Sequence, residues 1–462
     1  MKREVPQELQ KVFDYIDAHQ QDAIDDLVRF VQQPSVASQN LGMEECADLV
    51  VSIIKKDGLN GEKYPLDGGP AVILGTQESK SSTRSLGAYA HYDVQPPEPI
   101  EKWNYPPFGA VIDKGRIWGR GATDNKSGLM SFIKGVKAFR ETGVDLPVNV
   151  KFIFEGEEEI GSPHLGKFVK NNKELFRCDA MHCLDGGMNI TVPVPEIDLG
   201  LKSILYVELV AHGAKSDVHS LNAPLVPQPA YDLVRALNSL VDENRHILID
   251  GWYDGLWELG EEELEILQDK VNRVDIQQML DDFGIKEFAL GRSAFEALKA
   301  RAYEPTCNIC GITCGYQGAG SKTIVPCEAR CKMDFRLPPL IDASKALGKL
   351  EKHLKDHGFD NIEVIPMIGD EMEDTYKCSV KEDISQACIR ACEMVYGQPP
   401  IINGVSQEGT ILRHVWMPTV FTGFAQPDCN LHAPNESVTI STYIQGIKFA
   451  CAIMWEYGKG SN

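Results

Sequence analysis

Apolar positions along the chain change their spacing several times, and each change marks an element. Residues 7–31 carry Val12, Ile16, Ile24, Leu27, Phe30 and Val31 at helical spacing, and residues 42–57 repeat it with Leu49, Ile53 and Ile54. Short apolar runs follow at 71–75, 85–92, 109–118 and 148–154, and each reads as a strand. Between the last two, residues 126–142 place Leu129, Ile133, Val136 and Phe139 on one helical face. Strands alternating with helices predict an α/β fold, a mainly parallel sheet with helices on both faces.

Near Gly200 the pattern shifts. Residues 201–211 read as a strand and 230–241 as a helix, followed by a polar, acidic helical stretch at 261–300. Strands near 324–335 and 361–366 flank a helix at 343–355, which predicts a smaller α+β unit. A helix at 384–395 and a buried strand at 418–423 return to the first pattern. The expected organisation is one domain from residues 1–200 and 375–462, with a second inserted at 201–374. There is no internal repeat and no low-complexity linker.

The chain has 462 residues, room for two or three domains. Acidic residues outnumber basic ones 67 to 46, giving a net charge of -21 with no basic patch, which argues against a nucleic-acid partner. No apolar run approaches the ~20 residues of a membrane span. The start, Met1-Lys2-Arg3-Glu4-Val5-Pro6, lacks the apolar core of a secretory signal. Thirteen cysteines without such a signal point to a reducing, cytoplasmic setting.

Five places offer a metal ligand in a turn after an apolar run. His91-Tyr92-Asp93 follows the strand at 85–92, and the alternation of a strand sends His91 and Asp93 to one side. A carboxylate there can hold the second ring nitrogen of a ligand histidine. Alone, His91 reads first as an ordinary buried histidine at a strand end. Asp124, in Gly119-Arg120-Gly121-Ala122-Thr123-Asp124, could bind a metal or cap the helix that follows. Glu155-Gly156-Glu157-Glu158-Glu159 crowds four carboxylates at the end of a buried strand, where like charges need a cation or a shared proton. Asp185 ends another apolar run, before Gly186-Gly187. His432, in Asn430-Leu431-His432-Ala433-Pro434-Asn435-Glu436, lies far along the chain. Each signal is weak by itself. Together they give two histidines and at least three carboxylates at strand ends, a mixed N/O set suited to zinc, with manganese or cobalt as alternatives.

This set of motifs resembles the dinuclear metallopeptidase family of cytosolic non-specific dipeptidase, carnosinase, aminoacylase and glutamate carboxypeptidase, most closely its dipeptidase branch. The resemblance runs from the first helix through Gln33-Pro34-Ser35-Val36 to the His432 motif. It implies two divalent metal ions, most simply Zn2+. One would be held by His91, Asp124 and Asp185, the other by Asp124, Glu159 and His432. It further implies that Asp93 orients His91 and that Glu158 is the general base for hydrolysis of a small peptide or acyl amino acid. His219, in Ser216-Asp217-Val218-His219-Ser220, matches a histidine that reaches the partner's site in dimeric members, so a homodimer is expected and the insertion would serve as lid and dimer contact. Arg336 and Thr323 match substrate contacts, Arg336 with the planar fork that grips a carboxylate.

The sequence departs from the family's pattern at Ser127 and Leu221, where glycines are usual, and near Cys378, where a histidine is expected. The segment Gly404–Thr410 follows the family's glycine-rich substrate loop only loosely. Cys307, Cys310 and Cys314 have the look of a cluster or zinc motif, but they fall on a strand position where small apolar residues pack, and packing is the expected role. Gly318-Ala319-Gly320 lacks the strand–turn–helix setting of a phosphate loop.

Overall fold

In this computed structural model, residues 3–367, 375–405 and 417–460 are described. Among these residues, the larger sheet has eight strands. Their spatial order is Glu62–Tyr64, Val72–Gln77, Asn149–Glu155, Ser85–His91, Ala180–Gly187, Thr419–Ala425, Glu196–Asp198 and Ile401–Asn403. The four middle strands are mutually parallel. A parallel neighbour requires a crossover, and helix Lys126–Thr142 supplies the one between Ser85–His91 and Asn149–Glu155. Strand Ser85–His91 is buried at every position after its first, as a strand covered on both faces must be.

Alternation along the strands sorts side chains to the two faces. Ala88 and Ala90 meet the core beneath helices Gln7–Ala18, Gln20–Gln32, Lys126–Thr142 and Ile440–Lys459. Tyr89, Met181, Cys183 and Phe421 join Leu165, Val169 and Phe176 on the opposite face.

A second, antiparallel sheet orders its strands Thr306–Cys314, Glu328–Leu337, Ser203–His212 and Ile362–Pro366. It has its own core, where Leu205, Val207, Leu209 and Phe335 meet Trp252 and helices Pro229–Leu240 and Ala346–Asp356. The acidic stretch is three helices, Glu261–Arg273, Ile276–Phe283 and Ala294–Tyr303. The first is tied to the larger sheet. Lys270 donates to Asn403 and Arg273 Nη1 to the Pro400 carbonyl at 2.6 Å, while Glu263 pairs at 2.7 Å with Lys377 in the separate ladder of Tyr376–Lys377 with Gly200–Leu201.

Several elements differ from the sequence expectation. The helix expected over 7–31 breaks at His19, whose φ of -118° and ψ of 23° are not helical, and its ring stacks on Tyr15. The strand expected over 109–118 is a hairpin, Val111–Asp113 and Arg116–Trp118, outside the large sheet. Its two-residue turn needs positive φ at Lys114 and Gly115 (51° and 73°), and it falls in the polar stretch Asp113-Lys114-Gly115-Arg116 that divides the apolar run. The strand expected over 324–335 divides at Pro326, which has no N–H to donate. Ile324–Val325 pairs with Val218–His219, while Glu328–Leu337 enters the second sheet.

Thr306–Cys314 is an edge strand, and the expected burial of its cysteines holds only in part. Cys307 and Cys314 are half-buried against the second core, whereas Cys310 is exposed. All thirteen thiols are free. Among the described residues, no helix is long and apolar enough to cross a membrane.

Candidate metal centre

The parallel strands end together, and their carboxyl ends carry the chemistry, as open α/β sheets favour. His91 is the last residue of its strand and lies opposite Glu155 in the neighbouring one. Glu158 and Glu159 sit in the helical turn Glu158–Ile160 just beyond. Asp185 lies on strand Ala180–Gly187, Asp124 in the loop before helix Lys126–Thr142, and His432 in the loop after strand Thr419–Ala425.

Asp124 stands between the two histidines. Its Oδ1 is 3.1 Å from His91 Nε2 and its Oδ2 is 2.8 Å from His432 Nε2. Around His91 Nε2 stand Asp185 Oδ1 at 3.6 Å and Glu158 Oε2 at 4.0 Å, and Glu159 Oε2 is 3.2 Å from His432 Nε2. Two groups of three donors thus have their atoms within 4.8 Å of one another: His91, Glu158 and Asp185, and Asp124, Glu159 and His432. Among the described residues, these are the groups of histidine, cysteine or carboxylate close enough to hold an ion, and the cysteines of strand Thr306–Cys314 form none.

The side chains behind them are held in turn. His91 Nδ1 lies 3.1 Å from the Asp93 carbonyl oxygen and 3.3 Å from Asp93 Oδ1. Asp93 also accepts the backbone N–H of Glu158 at 3.2 Å and of Glu159 at 3.0 Å, so one buried carboxylate fixes both the imidazole and the acidic turn. Gln95 Nε2 donates to Glu159 Oε2 at 2.8 Å, and Asn125 Nδ2 to Asp185 Oδ1 at 2.6 Å. Glu436 accepts from Arg120 and from three backbone N–H groups of the Asp124 loop. Sequence reading did not single out Gln95, Asn125 or Glu436. Their types are common in turns, and only their position two residues after Asp93, directly after Asp124, or four residues after His432 offered a hint.

Electrostatics distinguishes the members. Burial, reinforced by Asp185 and Asp124, holds the Glu158 carboxyl well above the usual carboxylate range, and burial likewise raises Asp185. Hydrogen bonds from His432 and His91 overcome the burial of Asp124 and hold it below that range. Bonds to Asp124 and Glu159 push His432 up to about 10. Among the described residues, the ion pairs of Asp124, Glu158, Glu159 and Asp185 go only to His91 and His432. Four crowded carboxylates with no lysine or arginine are a donor set that divalent cations fit by charge and by chemistry.

Asp124 does not cap the helix after it. The capping position belongs to Asn125, whose side chain reaches Leu184 and Asp185 instead. Of the other clustered acids, Glu155 accepts from Tyr89 at 2.5 Å and Ser162 at 2.7 Å, and Glu157 holds His164 at 2.7 Å.

The donors open on a cleft of about 430 Å³. Asp124, Glu158, Asp185 and His432 form one side, and Phe421, Phe424 and Leu431 form an apolar wall. Gly128 and Gly186 also line it, and Gly128 lets helix Lys126–Thr142 pack closely on strand Ala180–Gly187, since a Cβ there would lie 2.3 Å from the Leu184 carbonyl oxygen.

His219, Thr323 and Arg336 do not line this cleft. His219 and Thr323 are brought to each other: both are exposed, and the Ser220 N–H donates to the Thr323 carbonyl at 3.0 Å. Arg336 is half-buried on the second sheet, its Nε 3.7 Å from Asp334 Oδ1. Within the segment 404–410, residues 406–410 lie outside the described residues.

The sequence profile of peptidase family M20/M25/M40 matches residues 87–456. The Cys-Gly metallodipeptidase of Schizosaccharomyces pombe is 28% identical over 477 aligned residues, covering 97% of this chain and 98% of that protein. The human Beta-Ala-His dipeptidase is 28% identical, with 98% and 93% covered. Among solved structures, an M20 family metallo-carboxypeptidase from Sulfolobus solfataricus superposes with a TM-score of 0.83 at 34% identity, covering 95% of this chain and 99% of that one. The matched span contains every donor of the cluster from His91 to His432, and the chain belongs to peptidase family M20/M25/M40.

Proposed function

We propose that this protein hydrolyses the amide bond of dipeptides or similarly small peptides, with two divalent cations sharing Asp124. The observation that carries this is Asp124 itself, whose two oxygens face His91 on one side and His432 on the other. His91 and Asp185 would complete the ligands of one ion, and Glu159 and His432 those of the other. The mixed N/O set favours zinc, with manganese as the alternative. When bound, the cations supply Lewis acidity for the scissile carbonyl and acidify the attacking water.

Glu158 is the general base in this reading. It takes the proton of the attacking water and returns it to the leaving nitrogen. Asp93 keeps His91 Nε2 directed at the ions by holding Nδ1. His219 supplies a hydrogen bond to the developing oxyanion, and Arg336 and Thr323 hold the substrate carboxylate. These three act from the insertion, residues 201–374, on a catalytic domain of 1–200 and 375–462. His219 is offered across a homodimer. The exposed edge strand Thr306–Cys314, with Ile309 47% and Ile312 55% exposed, supports such an association. Thirteen free thiols support a reducing compartment.

The likeness to the Sulfolobus metallo-carboxypeptidase favours a second reading, release of the C-terminal residue from longer peptides. Mass spectrometry of the zinc- and manganese-loaded protein against dipeptides, longer peptides and N-acyl amino acids separates the readings. Cleavage confined to dipeptides, and lost in Glu158→Gln, is expected. Trimming of longer peptides selects the carboxypeptidase, and turnover of acyl amino acids alone an amidohydrolase. Two bound metals without any turnover would sink the enzymatic reading in favour of a metal-stabilised interaction protein.

A further inference from the structure

We infer that Glu436 is the positioning residue that aligns Asp124 and His432 for the metals. The inference rests on the reading that these two residues ligate. Glu436 is fully buried, and it lies four residues after His432 in the same loop. Its Oε1 accepts the backbone N–H of Thr123 at 2.9 Å and of Asp124 at 3.0 Å. Its Oε2 accepts the N–H of Gly121 at 2.8 Å and Arg120 Nη1 at 2.8 Å.

One carboxylate therefore takes up four donors from five consecutive residues, 120–124. An uncharged side chain could not do this. A glutamine would offer one oxygen and turn an NH2 toward N–H groups that need an acceptor. A buried carboxylate without such partners would not be tolerated either. The loop bearing Asp124 and the loop bearing His432 are thus joined through Glu436, although more than 300 residues separate them. Two further bonds run the same way: the Gly119 N–H donates to the Glu436 carbonyl at 2.9 Å, and Thr123 Oγ1 to the Ser437 carbonyl at 2.9 Å.

The consequence concerns both ions at once. Asp124 faces both histidines, so displacing its loop spoils both sites, whereas losing His432 or Asp185 would spoil one. Arg120 has a separate role. It also reaches the Pro96 carbonyl at 3.3 Å and stands over the Trp103 ring, so it packs the loop from behind. The three backbone donors need Glu436 and do not need Arg120.

The test is zinc affinity by competition with a chromophoric chelator, on the full chain stripped of metal. Circular dichroism and thermal unfolding of the stripped proteins report folding. Wild type is expected to take two zinc ions. Glu436→Gln should lose about 10- to 100-fold in affinity at both sites. Arg120→Met should melt earlier yet bind within about threefold of wild type, because the three N–H groups keep their acceptor. Where Glu436→Gln does not fold, Glu436→Asp replaces it; the shorter carboxylate should weaken both sites by a smaller factor. A folded Glu436 variant binding two zinc ions as tightly as wild type overturns the inference, and so does an equal loss in Arg120→Met. Wild type that binds no metal refutes the metallopeptidase reading instead.

Discussion

His182 tests the electrostatic account of the sheet that carries the site. It lies on strand Ala180–Gly187, three residues before Asp185, and is fully buried. Its Nε2 is 2.7 Å from Thr422 Oγ1 on the neighbouring strand, its Nδ1 has no partner, and Phe132 meets the ring edge-on at 5.4 Å. Nothing nearby compensates a charge, and burial alone pushes its pKa down to about 3. In the unfolded chain the same imidazole titrates near ~6.5. Between these values the unfolded state binds a proton that the folded state refuses. Stability from this residue is therefore complete above ~6.5 and declines as pH falls toward 3. At ~1.36 kcal/mol per unit, the loss by pH ~5 is about 2 kcal/mol. Urea unfolding of the metal-free protein at pH 8 and pH 5 measures it. Every other titrating group is shared by wild type and His182→Gln, so it cancels in the comparison. The stability lost between the two pH values should be about 2 kcal/mol smaller in the variant. Equal losses in the two proteins would refute the reasoning, because His182 would then titrate alike in both states.

Three more expectations concern the ions, the core and the cleft. Chelation should lower the melting temperature and abolish turnover, with zinc or manganese restoring both; a ligand at a thousandfold excess over Kd stabilises by about 4 kcal/mol. A calorimetric scan with and without chelator that shows no shift would contradict this. Lys134 Nζ sits 2.5 Å from both Asp26 and Asp57 in a nearly dry cluster, with Lys56 and Lys137 pairing the same acids from outside. Lys134→Met should cost about 3 kcal/mol in denaturant unfolding, because it strands two buried carboxylates that the outer lysines only partly serve. The wall of Phe421, Phe424 and Leu431 favours an apolar substrate side chain. Leu431→Asn should reduce kcat/KM about tenfold for leucine-containing dipeptides relative to glycine-containing ones, and an unchanged ratio would remove Leu431 from the specificity wall.

His91, Glu158, Glu159 and Asp185 were legible in the chain because they lie at or just past the ends of buried strands, and strand periodicity is a local property. Ala88, Ala90, Phe152 and Phe154 announce their strands, and His91 and Glu158 come directly after them. The helix Lys126–Thr142 was equally plain, since Leu129, Ile133, Val136 and Phe139 repeat at its period. Tight turns were harder to read: the polar break Asp113-Lys114-Gly115-Arg116 splits what reads as one strand over 109–118, and Pro326 sends two halves of an apparent strand to different sheets. No local pattern fixes which acid meets which partner. Among five neighbouring residues, Glu155 turns to Tyr89, Glu157 to His164, and Glu158 and Glu159 to the histidines. That division follows from where the parallel strands end in space. The supporting shell was still less legible, because Glu436 meets residues 120–124 from more than 300 residues along the chain. The sequence alone determined the element types and the residues chemically able to hold a metal, since both depend on spacing along one segment. Only the tertiary structure decided their company, because hydrogen bonds and charge repulsion act over a few ångströms of space, whatever the distance along the chain.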